Sequence, residues 1–143
     1  MPQPSAEEAS DFHAPPAGDS RIRLLFICSR NRWRSPTAEL LFKGHPHIQA
    51  RSAGVSRSAV HQVTARDLEW ADVVCVMESE HKKRLIEDHG NLARRKHLHV
   101  LDIPDDYEFN DPVLVQLLQQ TLTPLVSHWV PIDWAAPPHD AHS

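Results

Sequence analysis

Two apolar runs constrain this chain more than any other feature. Ile22 to Ile27 is continuous but for Arg23, and Ala71 to Met77 reads ADVVCVM. Neither leaves a polar face, so each predicts a strand buried on both sides, the condition of a strand inside a parallel sheet. His97 to Ile103 is a third strand candidate and Ile48 to Ala53 a weaker fourth. The stretches between them read as helices. Pro36 to Lys43 carries proline near its first turn and stops at Gly44, the asymmetry expected of helix ends. Ser79 is placed to cap a helix over 80–89, which closes at His89-Gly90. Asp111-Pro112 opens a last helix on which Leu114, Leu118, Leu122, Leu125 and Trp129 recur at helical spacing, with a kink expected at Pro124. Strands alternating with helices predict an α/β domain whose parallel sheet is covered on both faces and binds ligands beyond the carboxyl ends of its strands.

The bulk numbers fit one such domain: 143 residues, 41% hydrophobic and 24% charged. Residues 1–20 are rich in Pro, Ala, Ser and acids and are expected to form a disordered tail. The domain then spans 21–130, followed by a second tail over 131–143 from which Trp134 is placed to fold back. The net charge of −4 comes from the tails, because all 15 basic residues lie within 21–130 beside only 13 of the 19 acidic ones. That excess of two is too mild for a nucleic-acid partner but suits one local anion site. The longest unbroken apolar run, Leu24 to Cys28, is far short of the roughly 20 residues that span a bilayer. No membrane partner is expected. Cys28 and Cys75 are too few for a disulfide scaffold, which points to a reduced, cytoplasmic location.

The first strand candidate runs directly into Cys28-Ser-Arg-Asn-Arg-Trp-Arg34-Ser35, and the helix candidate begins near Pro36. In a tight strand-to-helix loop the backbone N–H groups converge and the helix N-terminus adds partial positive charge, so the loop can hold a tetrahedral anion. Arg34 follows Cys28 by six residues. At that spacing the loop can curl so that the guanidinium grips two phosphoryl oxygens while the sulfur lies beneath phosphorus. The same positive surroundings favour the thiolate, the nucleophilic form of cysteine. Ser35 is placed to hydrogen-bond that sulfur. The competing reading is a buried strand-end cysteine and an unrelated surface arginine. Cys75, in the middle of an apolar run, reads as core.

The loop and its continuation, with Cys28, Asn31, Arg34, Ser35, Pro36, Ala38 and Glu39, resemble the C-x-x-N-x-x-R-S-P-x-A-E signature of the low-molecular-weight protein tyrosine phosphatases. The resemblance extends to Arg51-Ser52-Ala53-Gly54, to Ala71–Glu78 and to Asp102-Ile103-Pro104-Asp105. It implies a four-stranded parallel sheet flanked by helices and a phosphatase that needs no cofactor or metal. Its substrate would be a phosphorylated protein or a small phosphomonoester. Cys28 would be the nucleophile, Arg34 the clamp on the transition state, Asn31 the residue that shapes the loop and Ser35 the partner of the leaving thiolate. Ser29, Arg30, Arg32 and Trp33 would complete the substrate-binding loop.

A leaving phenolate also needs a general acid. The resemblance places Asp105 at that position, with Tyr107 as the aromatic that follows, whereas Asp106 stands where the family has proline. Asp111-Pro112 reproduces the Asp-Pro pair six residues later, although an Asp before Pro at a helix start also reads as an N-cap. Further departures concern the substrate. Arg30 and Trp33 replace a glycine and a second cysteine common in the family, and Arg30 and Arg32 make the rim basic, in favour of acidic or doubly phosphorylated ligands. The stretch from Gly54 to Ala71 is short and lacks an aromatic until Trp70, so the helix and aromatic wall that the family builds there are expected to be missing, and Trp33 is the candidate replacement. Eleven histidines are present, but neither His45-Pro46-His47 nor His97-Leu98-His99 has a completing carboxylate or thiolate. Two other functions stay open: a phosphate or phosphopeptide-binding module without turnover, and arsenate reduction, which would need more shuttling cysteines than Cys75.

Overall fold

In a computed structural model of the chain, residues 20–132 and Trp134 are described. The expected N-terminal tail, apart from Ser20, and most of the C-terminal one lie outside the described residues. Nine elements follow in order: β1 (Ile22–Cys28), α1 (Arg34–Leu41), β2 (Ile48–Gly54), α2 (Ala65–Trp70), β3 (Val73–Val76), α3 (Ser79–His89), α4 (Asn91–Arg94), β4 (His97–Val100) and α5 (Pro112–Val126). The four strands form one parallel sheet in the order β2-β1-β3-β4. Both continuous apolar runs occupy its centre, where each strand is covered on both faces.

Alternation along β1 divides the core. Leu24, Phe26 and Cys28 face one side with Val73 and Cys75 of β3, under Ala38 of α1 and Leu114, Leu118, Leu122 and Val126 of α5. Leu25 and Ile27 face the other with Val74 and Val76, under Leu68 of α2, Leu85 of α3 and Ala93 of α4. The strand order reverses its direction of growth between β1 and β3. A crevice therefore opens beyond their carboxyl ends, where Cys28 and Glu78 stand.

Several boundaries differ from the sequence reading. The first helix begins at Arg34 rather than near Pro36, so the connecting loop shrinks to residues 29–33. Pro36 is tolerated there because the first four amides of a helix have no intrahelical partner. Glu78, not Ser79, occupies the N-cap of α3, since its backbone N–H is taken by Nδ1 of His81 at 3.0 Å. A helix is present between Gly54 and Ala71, contrary to expectation. Thr64 and Asp67 cap it reciprocally, each side chain accepting from the other's amide, and this Thr-x-x-Asp box outweighs the shortness of the segment. Pro124 lies inside α5, which ends at Val126, so Trp129 falls beyond the helix on which its spacing had placed it. Trp134 folds back from the C-terminal segment as expected, and Ile132 joins it on the first core face. The indole of Trp134 lies 5.6 Å from the Phe42 ring and donates to Oγ1 of Thr123 at 2.6 Å.

Phe42 is stacked on Phe26, with centroids 6.0 Å apart, and is thus sandwiched between the central strand and Trp134. Phe42→Ala should lower stability by about 3–5 kcal/mol, the cost of emptying such a site. Urea unfolding measures it, and a loss below about 1 kcal/mol would mean that the site collapses freely and that this contact does not organise the face.

Candidate active site

Cys28 ends β1 with its thiol buried and free. The backbone N–H of Asn31 donates to Sγ at 3.2 Å, and Oγ of Ser35 lies 3.0 Å from it. Because Nδ2 of Asn31 donates to the same hydroxyl at 3.1 Å, the single Ser35 proton is left for the sulfur or for the carbonyl of Ala53, which is farther at 3.4 Å. The sulfur is therefore surrounded by donors.

Asn31 adopts φ 56°, a left-handed conformation that asparagine tolerates better than most residues. Its side chain also donates to Oγ of Ser52 at 2.9 Å, and that hydroxyl donates to Glu39 at 2.5 Å. One buried amide thus ties the loop to α1 and β2. The loop is gripped from outside as well. The carbonyls of Cys28, Ser29 and Arg30 accept from the amides of Val55, Ser56 and Val60 at 2.9–3.0 Å. A Cβ on Gly54 would lie 2.5 Å from the Ser29 carbonyl oxygen, so the crossing of these two segments requires glycine. The amides of Arg32, Trp33, Arg34 and Ser35 have no protein acceptor among the described residues and sit at the start of α1, where an anion is favoured.

The Arg34 side chain is only 3% exposed. Its Nη1 donates to Oε2 of Glu78 at 2.5 Å and to the carbonyl of Ile103 at 2.7 Å. Its Nε lies 3.6 Å from Oδ1 of Asp105, whose carboxylate is 58% exposed. Cys28, Ser29, Arg34 and Asp105 line one cavity of about 280 Å³, and Arg30, Arg32 and Trp33 form its exposed margin. The sulfur and the guanidinium therefore share one bowl. Among the three acid candidates only Asp105 reaches it: Asp106 is exposed away from the cavity, and Asp111 caps α5 by accepting from Val113 N–H at 2.8 Å.

Two residues of the site have no place in the sequence reading of it. Glu78 holds Arg34, and His81 joins Glu78 to the loop. Since Nδ1 of His81 accepts from the Glu78 amide, its proton sits on Nε2, 3.0 Å from the Ser29 hydroxyl. Burial, and then the neighbouring Arg34, lower the His81 pKa. The spacing Glu78-x-x-His81 at a helix start was the available signal. Cys75 is fully buried in β3, which pushes its thiol to about 12. It stays neutral and away from the bowl.

No protein-family model and no curated protein matches the chain. Solved structures do. The tyrosine phosphatase Wzb from Escherichia coli K30 is 25% identical with a TM-score of 0.60, over 74% of this chain and 96% of its own. The low-molecular-weight protein tyrosine phosphatase SP-PTP from Streptococcus pyogenes superposes with a TM-score of 0.64 at 19% identity, over 77% and 94%. The chain has the fold of the low-molecular-weight protein tyrosine phosphatases. The YwlE arginine phosphatase from Geobacillus stearothermophilus shares this phosphatase fold at a TM-score of 0.54 and 24% identity, over 70% of this chain and 85% of its own. Among the described residues, no helix is long and apolar enough to cross a membrane.

The lowered pKa of His81 links the phosphatase fold to pH. The unfolded chain binds this proton more readily than the folded one, so stability rises with pH. The contribution is fully present above the ordinary histidine value of about 6.5 and is lost as pH falls through the lowered folded value. His81→Gln should therefore show a smaller loss of urea midpoint between neutral pH and pH 5 than the parent protein. Parallel profiles would mean that His81 titrates normally.

Proposed function

We propose that the chain is a metal-independent phosphomonoester hydrolase acting on phosphotyrosine through a phosphocysteine intermediate. One observation carries the reading: the sulfur of Cys28, the guanidinium of Arg34 and the carboxylate of Asp105 line a single small cavity. In the first step the Cys28 thiolate attacks phosphorus and an S–P bond forms as the P–O bond to the leaving phenol breaks. Asp105 gives its proton to the leaving oxygen. The equatorial oxygens rest on Arg34 and on the free loop amides, which stabilise the charge without reorganising. In the second step Asp105 takes a proton from water, the water oxygen bonds to phosphorus and the S–P bond breaks. Ser35 then hydrogen-bonds the departing thiolate. A free thiolate of this kind needs a reduced compartment, in keeping with a cytoplasmic location.

Arsenate reduction fits less well, because the only other cysteine, Cys75, is buried and uncharged. A phosphopeptide-binding module without turnover differs from the proposal only in the chemistry, so activity separates the two.

Purified protein should release phosphate from para-nitrophenyl phosphate in the presence of a chelator, and Cys28→Ser should abolish the reaction. Persistent turnover in that variant would reject the cysteine mechanism, and an inactive parent that still binds phosphate would select the binding module. Asp105→Asn should lower kcat by about 10²–10⁴-fold and remove the basic limb of the pH–rate profile. Asp111→Asn, which keeps a good N-cap residue, should leave that limb in place.

A further inference from the structure

The margin of the bowl carries two cations that no carboxylate among the described residues neutralises. Arg23, Arg34, Arg51 and Arg84 each have a carboxylate partner within 4.0 Å. Arg30 and Arg32, both exposed, have none among the described residues; the same holds for Arg57, Arg66, Arg94 and Arg95, but only the rim pair lines the cavity. Asp105, the acid among the cavity-lining residues, and Glu78 are both engaged by Arg34. Nor are the two rim side chains placed at random. The backbone carbonyl of Arg30 is held by the Val60 amide at 3.0 Å, which fixes the base of the side chain. The guanidinium of Arg32 lies 5.5 Å from the centre of the Trp33 ring, a cation–π contact that keeps it beside the mouth.

With the phosphoryl group above the sulfur, an in-line leaving group must extend outward across this margin. We infer that Arg30 and Arg32 form a second anion subsite, which selects substrates bearing another negative group next to the reacting phosphoryl and disfavours a cationic leaving group. This rests on the phosphatase reading of the bowl. The chemistry recognised is a carboxylate or a second phosphate on the same substrate. A phosphorylated guanidine, which would bring a further cation to two arginines that have no carboxylate partner among the described residues, is the ligand such a rim repels. The phosphatase fold accommodates both tyrosine and arginine phosphatases among the similar structures, and on this reading the rim places the chain with substrates of the first kind.

Binding is measured on Cys28→Ser, which cannot turn substrate over, with four phosphopeptides of equal length. Three carry phosphotyrosine, flanked by alanine, by glutamate or by a second phosphotyrosine, and the fourth carries phosphoarginine flanked by alanine. Glutamate flanks should tighten binding about tenfold, roughly 1.4 kcal/mol, and the second phosphotyrosine at least as much. Phosphoarginine should bind more weakly than the alanine-flanked phosphotyrosine. The preference should shrink as salt screens the rim, fall to within about twofold when Arg30→Gln and Arg32→Gln are combined, and survive when both are changed to Lys. Equal affinities, no binding, or a preference unchanged in the glutamine variant would overturn the subsite. Turnover of the alanine-flanked phosphotyrosine peptide by the parent protein is read separately. Its absence alongside the predicted order of affinities would reject hydrolysis and keep the subsite.

Discussion

The site depends on one buried cation. Arg34 stands at the first position of α1, yet its guanidinium reaches across the crevice to the Glu78 carboxylate after β3 and to the Ile103 carbonyl after β4. A guanidinium this buried is tolerated only when its donors are matched, so those contacts decide where the helix can sit. They draw the ends of three consecutive strands of the sheet toward one point. Because the strand order turns between β1 and β3, that point is also the mouth of the crevice. The cavity over Cys28 follows from this geometry.

Around that cation the loop is held by two independent sets of bonds. Inside, Asn31 in its left-handed conformation passes hydrogen bonds to Ser35 and Ser52, and Ser52 passes one to Glu39. Outside, the 55–60 segment fastens three successive loop carbonyls, at a crossing so close that only Gly54 fits. With its carbonyls engaged outward, the loop keeps several amides at the start of α1 without a protein acceptor among the described residues. Ser29 is tied through His81 to the same Glu78 that grips Arg34, closing a chain of polar contacts around the bowl. Preorganisation of this kind is what lets fixed donors act on developing charge without moving.

Much of the architecture could be read from the residues because each local preference agreed with the final packing. The apolar runs of β1 and β3 have no polar face to offer solvent, and the leucines of α5 mark one stripe of a helix, so burial could be inferred before any contact was known. The positions of helix ends were less legible. Capping is settled by which side chain meets a free amide, and His81 and the Thr64–Asp67 pair won contests that single-residue preferences did not reveal. The short α2 shows the same limit, since a local box formed a helix where segment length had suggested none.

The residues of the loop were legible for a different reason. A cysteine at a strand end, an arginine six positions on and a helix start form a local unit, and a local unit is written in consecutive letters. The sequence by itself therefore determined the α/β layering, the strand–loop–helix around Cys28 and the chemical types gathered there. Only the tertiary structure separated Asp105, which lines the cavity, from Asp106 and Asp111, which do not, and only it brought Glu78, His81 and Ser52 to the loop. Those choices depend on how the ends of separate strands converge, and the distances between them are set by packing on both faces of the sheet rather than by spacing along the chain.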